Sequence, residues 1–153
     1  MEEKEQITEA KASAKLLDGM YKNVRMGADS ILELIPKVED EKMRQELVYQ
    51  LGRYEEFSNK LKNMLSTMGE AINDEGTLAK FGTKMSVAVN TMIDSTPSHI
   101  AEMMIQGGTM GVTDATKLLR EYENSSCSEE ALAITRKIIK FEESTVERLK
   151  SFL

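Results

Sequence analysis

Residues Phe141 to Lys150 read FEESTVERLK. Within them Glu142, Thr145 and Leu149 are spaced three and four apart, so on a helix they share one face. The same spacing runs back through Ile138, Thr135 and Ala131 and forward to Phe152. Apart from Glu142 this face is small or apolar, the mark of a side turned toward a core. An acid on an inward seam must find a cation, a hydrogen bond or a proton, and the fold is read from that acid outward.

Three other segments carry a comparable seam. The first runs Ile7, Ala10, Ala14, Leu17, Tyr21, Val24, Ala28, Ile31, Ile35, and Pro36 ends it because the residue before a proline avoids helical geometry. The second runs Met43, Leu47, Gln50, Tyr54, Phe57, Leu61, Met64, Met68, with Gly69 as a stop. The third runs Ala101, Met104, Gly108, Gly111, Ala115, Leu118, Tyr122. Thr96-Pro97 and Ser128-Glu129-Glu130 supply capping hydroxyls and a favourable first turn. The expected helices span about 5–35, 40–68, 97–123 and 129–152 in one domain, 1–153. Short turns at Pro36–Asp40 and Asn124–Ser128 make the first and last pairs antiparallel neighbours.

Between the second and third helices lies a long connection, from Gly69 to Ser95. It holds the turn-rich Asn73-Asp74-Glu75-Gly76, then apolar residues at Leu78, Phe81, Met85, Val89 and Met92, which predict a crossover helix over 77–93. Val87, Val89 and Thr91 also suit a strand, but a lone strand has no partner here. A helix of that length covers roughly 24 Å and can carry the chain back along a bundle. The expected fold is all-α, two antiparallel hairpins joined by a long crossover; an up-down bundle with a fifth helix is the alternative.

Composition removes several functions. Acids outnumber bases, 26 to 20, and the net charge is −6, so no basic stripe for nucleic acid is expected. No run approaches the ~20 apolar residues of a membrane helix, and the acidic start MEEKEQITEAK is no secretory signal. Cys127 is the single cysteine, in a polar turn, and reads as an exposed loop thiol in a reducing compartment. A cytoplasmic protein is expected. The 11 methionines are scattered and read as core filler rather than soft-metal ligands. His99, the one histidine, falls in a first helical turn and makes no triad.

Residues 142–150, with the matching stretch Tyr54-Glu-Glu-Phe57-Ser-Asn-Lys-Leu61, resemble the Glu-x-x-His helices of rubrerythrin-like members of the ferritin-like superfamily. That resemblance implies the ferritin-like four-helix bundle and a pair of iron ligands three residues apart on each helix. Here the pairs fall on Tyr54 with Phe57 and on Glu142 with Thr145, so one carboxylate survives. The mid-helix glutamates that the family takes from the other two helices are replaced by Tyr21 and Val24, and by Gly108 and Gly111. These are degenerate ligand positions: no metal and no other cofactor is expected.

Something must fill the vacated middle, because interiors pack near crystal density. Each interior helical glycine costs about 1 kcal/mol relative to alanine. Gly107, Gly108 and Gly111 therefore need a reason. They either leave room for the rings of Tyr21, Tyr54 and Phe57, mark a kink near Gly107, or open a small cavity for an apolar ligand. Glu142 is expected to point inward and contact a tyrosine hydroxyl, with Tyr21, Tyr54, Gln50 and Arg53 as candidate partners; a slightly rotated last helix would instead expose it. The expected packing site is Tyr21, Gln50, Tyr54, Phe57, Gly108, Gly111 and Glu142.

Function is read only at the level of class. A non-catalytic bundle acting through its surface is expected, pairing with itself as a homodimer or with another protein. The alternatives are a carboxylate-poor, metal-binding oxidoreductase or iron-handling protein of the same superfamily, and a structural protein of stress or sporulation.

Overall fold

The computed structural model describes residues 2–70 and 86–153, without the side chain of Ile7. Four long helices form it: α1 (Glu2–Leu34), α2 (Glu41–Thr67), α3 (Pro97–Tyr122) and α4 (Glu129–Leu149). Short 3-10 turns follow α1 at Ile35–Lys37 and α4 at Lys150–Phe152. Of the crossover helix expected over 77–93, residues 86–90 are helical and Val89 is fully buried; the rest up to 85, with Leu78, Phe81 and Met85, lies outside the described residues.

Local chemistry sets the boundaries. Pro36 tightens the end of α1 into its 3-10 turn. Asp40 Oδ2 accepts the Met43 N–H at 2.9 Å and starts α2. Gly69 takes a φ of +76°. Its N–H reaches the Ser66 carbonyl and the Glu70 N–H the Leu65 carbonyl, both at 3.0 Å. That double closure is a Schellman stop, which needs a residue at ease in the left-handed region. Thr96 accepts from the His99 N–H at 3.3 Å and Ser128 from the Ala131 N–H at 3.2 Å, so both expected caps form.

Helix directions follow from which residues meet. Arg25 bonds Glu55 and Ser58, and the Gly27 backbone lies under the Tyr54 ring, so α1 and α2 run antiparallel. Gly19 faces Leu118 and Asn23 bonds Gly111, so α1 and α3 are antiparallel too. Gly108 faces Val146 and Gly111 faces Glu142, which sets α3 against α4. Tyr54 meets Phe141 and Glu46 meets Arg148, which sets α2 against α4. Hence α2 and α3 point the same way. α2 ends at the pole where α1 begins, and α3 begins at the pole where α1 ends.

The seams of α2 and α4 are buried almost throughout, as is that of α1 from Ala14 to Ile31. Two differences stand out. Ala10 is exposed, because the first turns of α1 run past the other helices. On α3 only Ile100, Ala101 and Ala115 are buried; Met104, Gly108, Gly111, Leu118 and Tyr122 are half-buried, so this helix lies on the bundle more than in it. No described helix is long and apolar enough to cross a membrane.

Candidate functional site: the bundle centre

Glu142 reaches the centre from the fourth turn of α4. It is 2% exposed, so the inward orientation expected from the seam is the one found. Its carboxyl lies over the α3 backbone at Gly111, where a Cβ would fall 3.3 Å from Oε2. Thr145, one turn on, is equally buried, and its hydroxyl donates to the Glu142 backbone carbonyl at 2.8 Å. From α2 come Gln50 and Tyr54, both buried; from α1 comes Asn23, whose amide donates to the Gly111 carbonyl at 3.0 Å. These residues, with Gly27 and Gly108, surround a cavity of about 60 Å³.

The cavity is poor in compensating charge. Burial pushes the Glu142 carboxyl up to about 8, and the negative charge of Asp114 on α3 adds to it. The neutral form of Glu142 is therefore favoured at pH 7. Burial also raises the Tyr54 phenol, helped by Glu142 when that group ionises and opposed by a hydrogen bond with Thr145. Among the described residues two buried oxygens, Glu142 Oε2 and Asn23 Oδ1, have no hydrogen-bond partner. Of the partners expected for Glu142, Gln50 directs its amide to Glu46 and Arg53 pairs with Glu56 while lying over the Phe57 ring.

The expected packing site divides in two. Gln50, Tyr54, Gly108, Gly111 and Glu142 line the cavity, as does Thr145, expected only as a degenerate ligand position. Phe57 is elsewhere, packed on Phe141 with ring centroids 5.5 Å apart. Tyr21 lines a separate surface depression with Arg25, Glu55 and Ser58. The idea that the α3 glycines make room for rings is corrected as well. Gly108 lies against Val146, and Gly111 against Glu142 and Asn23; Tyr54 is seated on Gly27 of α1. A ring projecting from α2 meets the α1 backbone first, because those two helices are direct neighbours. Helix α3 is unbroken from Pro97 to Tyr122. Cys127 is half-buried rather than exposed, with Sγ 3.5 Å from Ser13 Oγ.

Sequence reasoning missed Asn23, Gly27, Phe141 and Asp114. Gly27 carried the same signal used for α3, a glycine inside a helix. Asn23 stood beside seam residue Val24 as a polar residue in an inward stretch. A di-iron centre does not fit these side chains. The ferritin-like resemblance puts its ligand seats at Tyr21, Val24, Tyr54, Phe57, Gly108, Gly111, Glu142 and Thr145, of which only Glu142 is a carboxylate, and among the described residues no three His, Cys, Asp or Glu side chains gather to hold an ion.

A family model described as "Domain of unknown function (DUF2383)" matches residues 12–121. The match takes in Asn23, Gly27, Tyr54 and Gly111 and stops short of Glu142. No curated protein and no solved structure matches the chain.

Proposed function

We propose that this chain, which belongs to the DUF2383 family, is a ferritin-like helical bundle without catalytic activity that acts as a protein-interaction or scaffold module in the cytoplasm. The observation that carries the reading is the Tyr54 ring packed edge-on against Phe141, with centroids 5.2 Å apart, at a seat where a ligand carboxylate would stand. An aromatic pair there is core, not a reactive centre. The helix directions support the ferritin-like part. Two antiparallel hairpins whose inner members, α2 and α3, run the same way need a connection spanning the length of the bundle, the mark of that topology.

Support for a surface role comes from α1 and α2. Arg25 and Glu55 bridge these helices at 3.0 Å. Leu32 lies seven residues beyond Arg25 and Val48 seven before Glu55, two turns along in each case. The two therefore stand side by side on the outer face, 48% and 54% exposed. A lone exposed Leu is ordinary; an apolar pair at one height on two helices offers a seat for a second copy.

Metal analysis of the purified protein, with light scattering, tests this reading. Expected are no stoichiometric iron or manganese and a dimer that Leu32→Glu with Val48→Glu splits into monomers. Bound iron at one or two per chain would favour the metal-handling alternative, and a mass unchanged by the double substitution would remove the pairing surface.

A further inference from the structure

Several donors around the central cavity are committed to backbone or to neighbouring side chains. Asn23 gives an N–H to the Gly111 carbonyl, Gln50 one to Glu46, and Thr145 its hydroxyl to the Glu142 carbonyl. Ser30, at the rim, donates to the Met26 carbonyl. Glu142 Oε2 and Asn23 Oδ1, each on a side chain more than nine-tenths buried, have no hydrogen-bond partner among the described residues. Among the described residues no cation offsets the carboxyl, and the charge that reaches it is a second acid, Asp114.

We propose that this cavity is a binding site for a small primary alkylammonium ion, its N–H donors meeting Glu142 Oε2 and Asn23 Oδ1. A volume of about 60 Å³ holds about three or four heavy atoms. Ile31, Met104 and Leu149 supply apolar wall for a short carbon chain. The rim is made by half-buried residues of α1 and α3, among them Ser30, Gly107 and Gly108, whose small size keeps a gap between the two helices. A hard divalent cation asks for several carboxylates, and among the described residues this site has one. A quaternary ammonium has no N–H to give and is held by aromatic cages instead.

Binding moves one proton. In the empty cavity the Glu142 carboxyl is protonated at pH 7; pairing with the ammonium ion leaves a carboxylate and releases that proton to solvent. Affinity therefore rises with pH, about tenfold per unit, until it levels near pH 8. The groups facing Glu142 are Tyr54 from α2, which stays a neutral phenol through this range, Asp114 from α3, and uncharged Asn23 from α1.

The test is calorimetry of the full chain with methylammonium chloride at pH 7, in two buffers of different ionisation enthalpy, with tetramethylammonium and potassium chlorides as controls. Expected are saturable binding of methylammonium alone, release of nearly one proton per ion bound, and loss of both in Glu142→Gln. Absence of binding over the millimolar range, binding without proton release, equal binding of either control ion, or unchanged binding in Glu142→Gln would each overturn the proposal. If the variant fails to fold, infrared spectra of the unaltered chain decide. The carbonyl stretch of the protonated acid should vanish on saturation with methylammonium, and its persistence overturns the assignment.

Discussion

The ring of Tyr54 lies flat on the backbone of Gly27: a Cβ at Gly27 would fall 2.7 Å from Tyr54 Cζ and 2.8 Å from Cε1. Tyr54 is 6% exposed and also packs edge-on with Phe141, ring centroids 5.2 Å apart. The α1–α2 spacing at mid-bundle is thus set by a ring and a missing methyl, and the ring has no room to retreat.

Gly27→Ala should destabilise the protein. Overpacking a close-packed core costs about 1–3 kcal/mol, while alanine returns up to about 1 kcal/mol of helix propensity. The expected net loss is about 1 kcal/mol, read as a lower urea midpoint. Tyr54→Leu alone also loses stability by opening a cavity, but Gly27→Ala placed in that background should be neutral or stabilising. A loss of equal size in both backgrounds would show that the contact is not the cause.

Three of the four helix faces were legible as seams because α1, α2 and α4 repeat apolar residues at spacings of three and four, and burial follows that repeat. Phe141 was not, although it adjoins Glu142. A core stripe is broader than the seam, so residues one step off it, such as Leu16, Met20 and Phe141, are buried too. The α3 seam overstated its burial, since periodicity marks a face without saying how deeply it is covered. Within the site, the inward Glu142 was readable from α4 alone. Its place over Gly111 and beside Asn23 depends on how α4, α3 and α1 dock, which no single-helix pattern carries.

Glu142→Gln should change how stability depends on pH. The Glu142 carboxyl titrates near 8 in the folded chain against a reference value of 4.5. Between those values the folded state holds a proton that the unfolded state has released, so stability is fully present below about pH 4.5 and declines as pH rises toward 8. The limiting slope for one group is about 1.4 kcal/mol per pH unit. Glutamine cannot ionise, so the variant should lack this component and gain on the unaltered chain between pH 5 and 8. Parallel melting-temperature profiles for the two proteins over that interval would contradict the assignment of a buried neutral acid.

Ser13 ties α1 to the turn before α4. Its hydroxyl, on a residue 2% exposed, accepts the Ser128 N–H at 2.9 Å and lies 3.5 Å from Cys127 Sγ. Ser13→Ala leaves that N–H without its acceptor at a cost of about 1 kcal/mol. The loosened turn should also let a thiol reagent reach Cys127 faster. Timed labelling of the two proteins under native conditions checks this, and equal rates would mean that Cys127 access is set elsewhere.

Glu46 and Arg148 join α2 to α4 across the bundle by two hydrogen bonds, Nε to Oε1 at 2.8 Å and Nη2 to Oε2 at 2.6 Å. The pair is lopsided. The Glu46 side chain is 7% exposed and that of Arg148 48%, with the guanidinium resting 4.3 Å above the Tyr49 ring. Removing the exposed partner should therefore matter more than its exposure suggests, because it strands the buried one with only the Gln50 amide for company. Arg148→Met keeps the stem over Tyr49 and should still cost about 1–3 kcal/mol, the penalty of leaving a buried acceptor without its donor. Adding Glu46→Gln to that variant removes the uncompensated charge and should recover part of the loss, which a double-mutant cycle in urea would measure. Strictly additive effects would mean that the bidentate contact does not persist in solution.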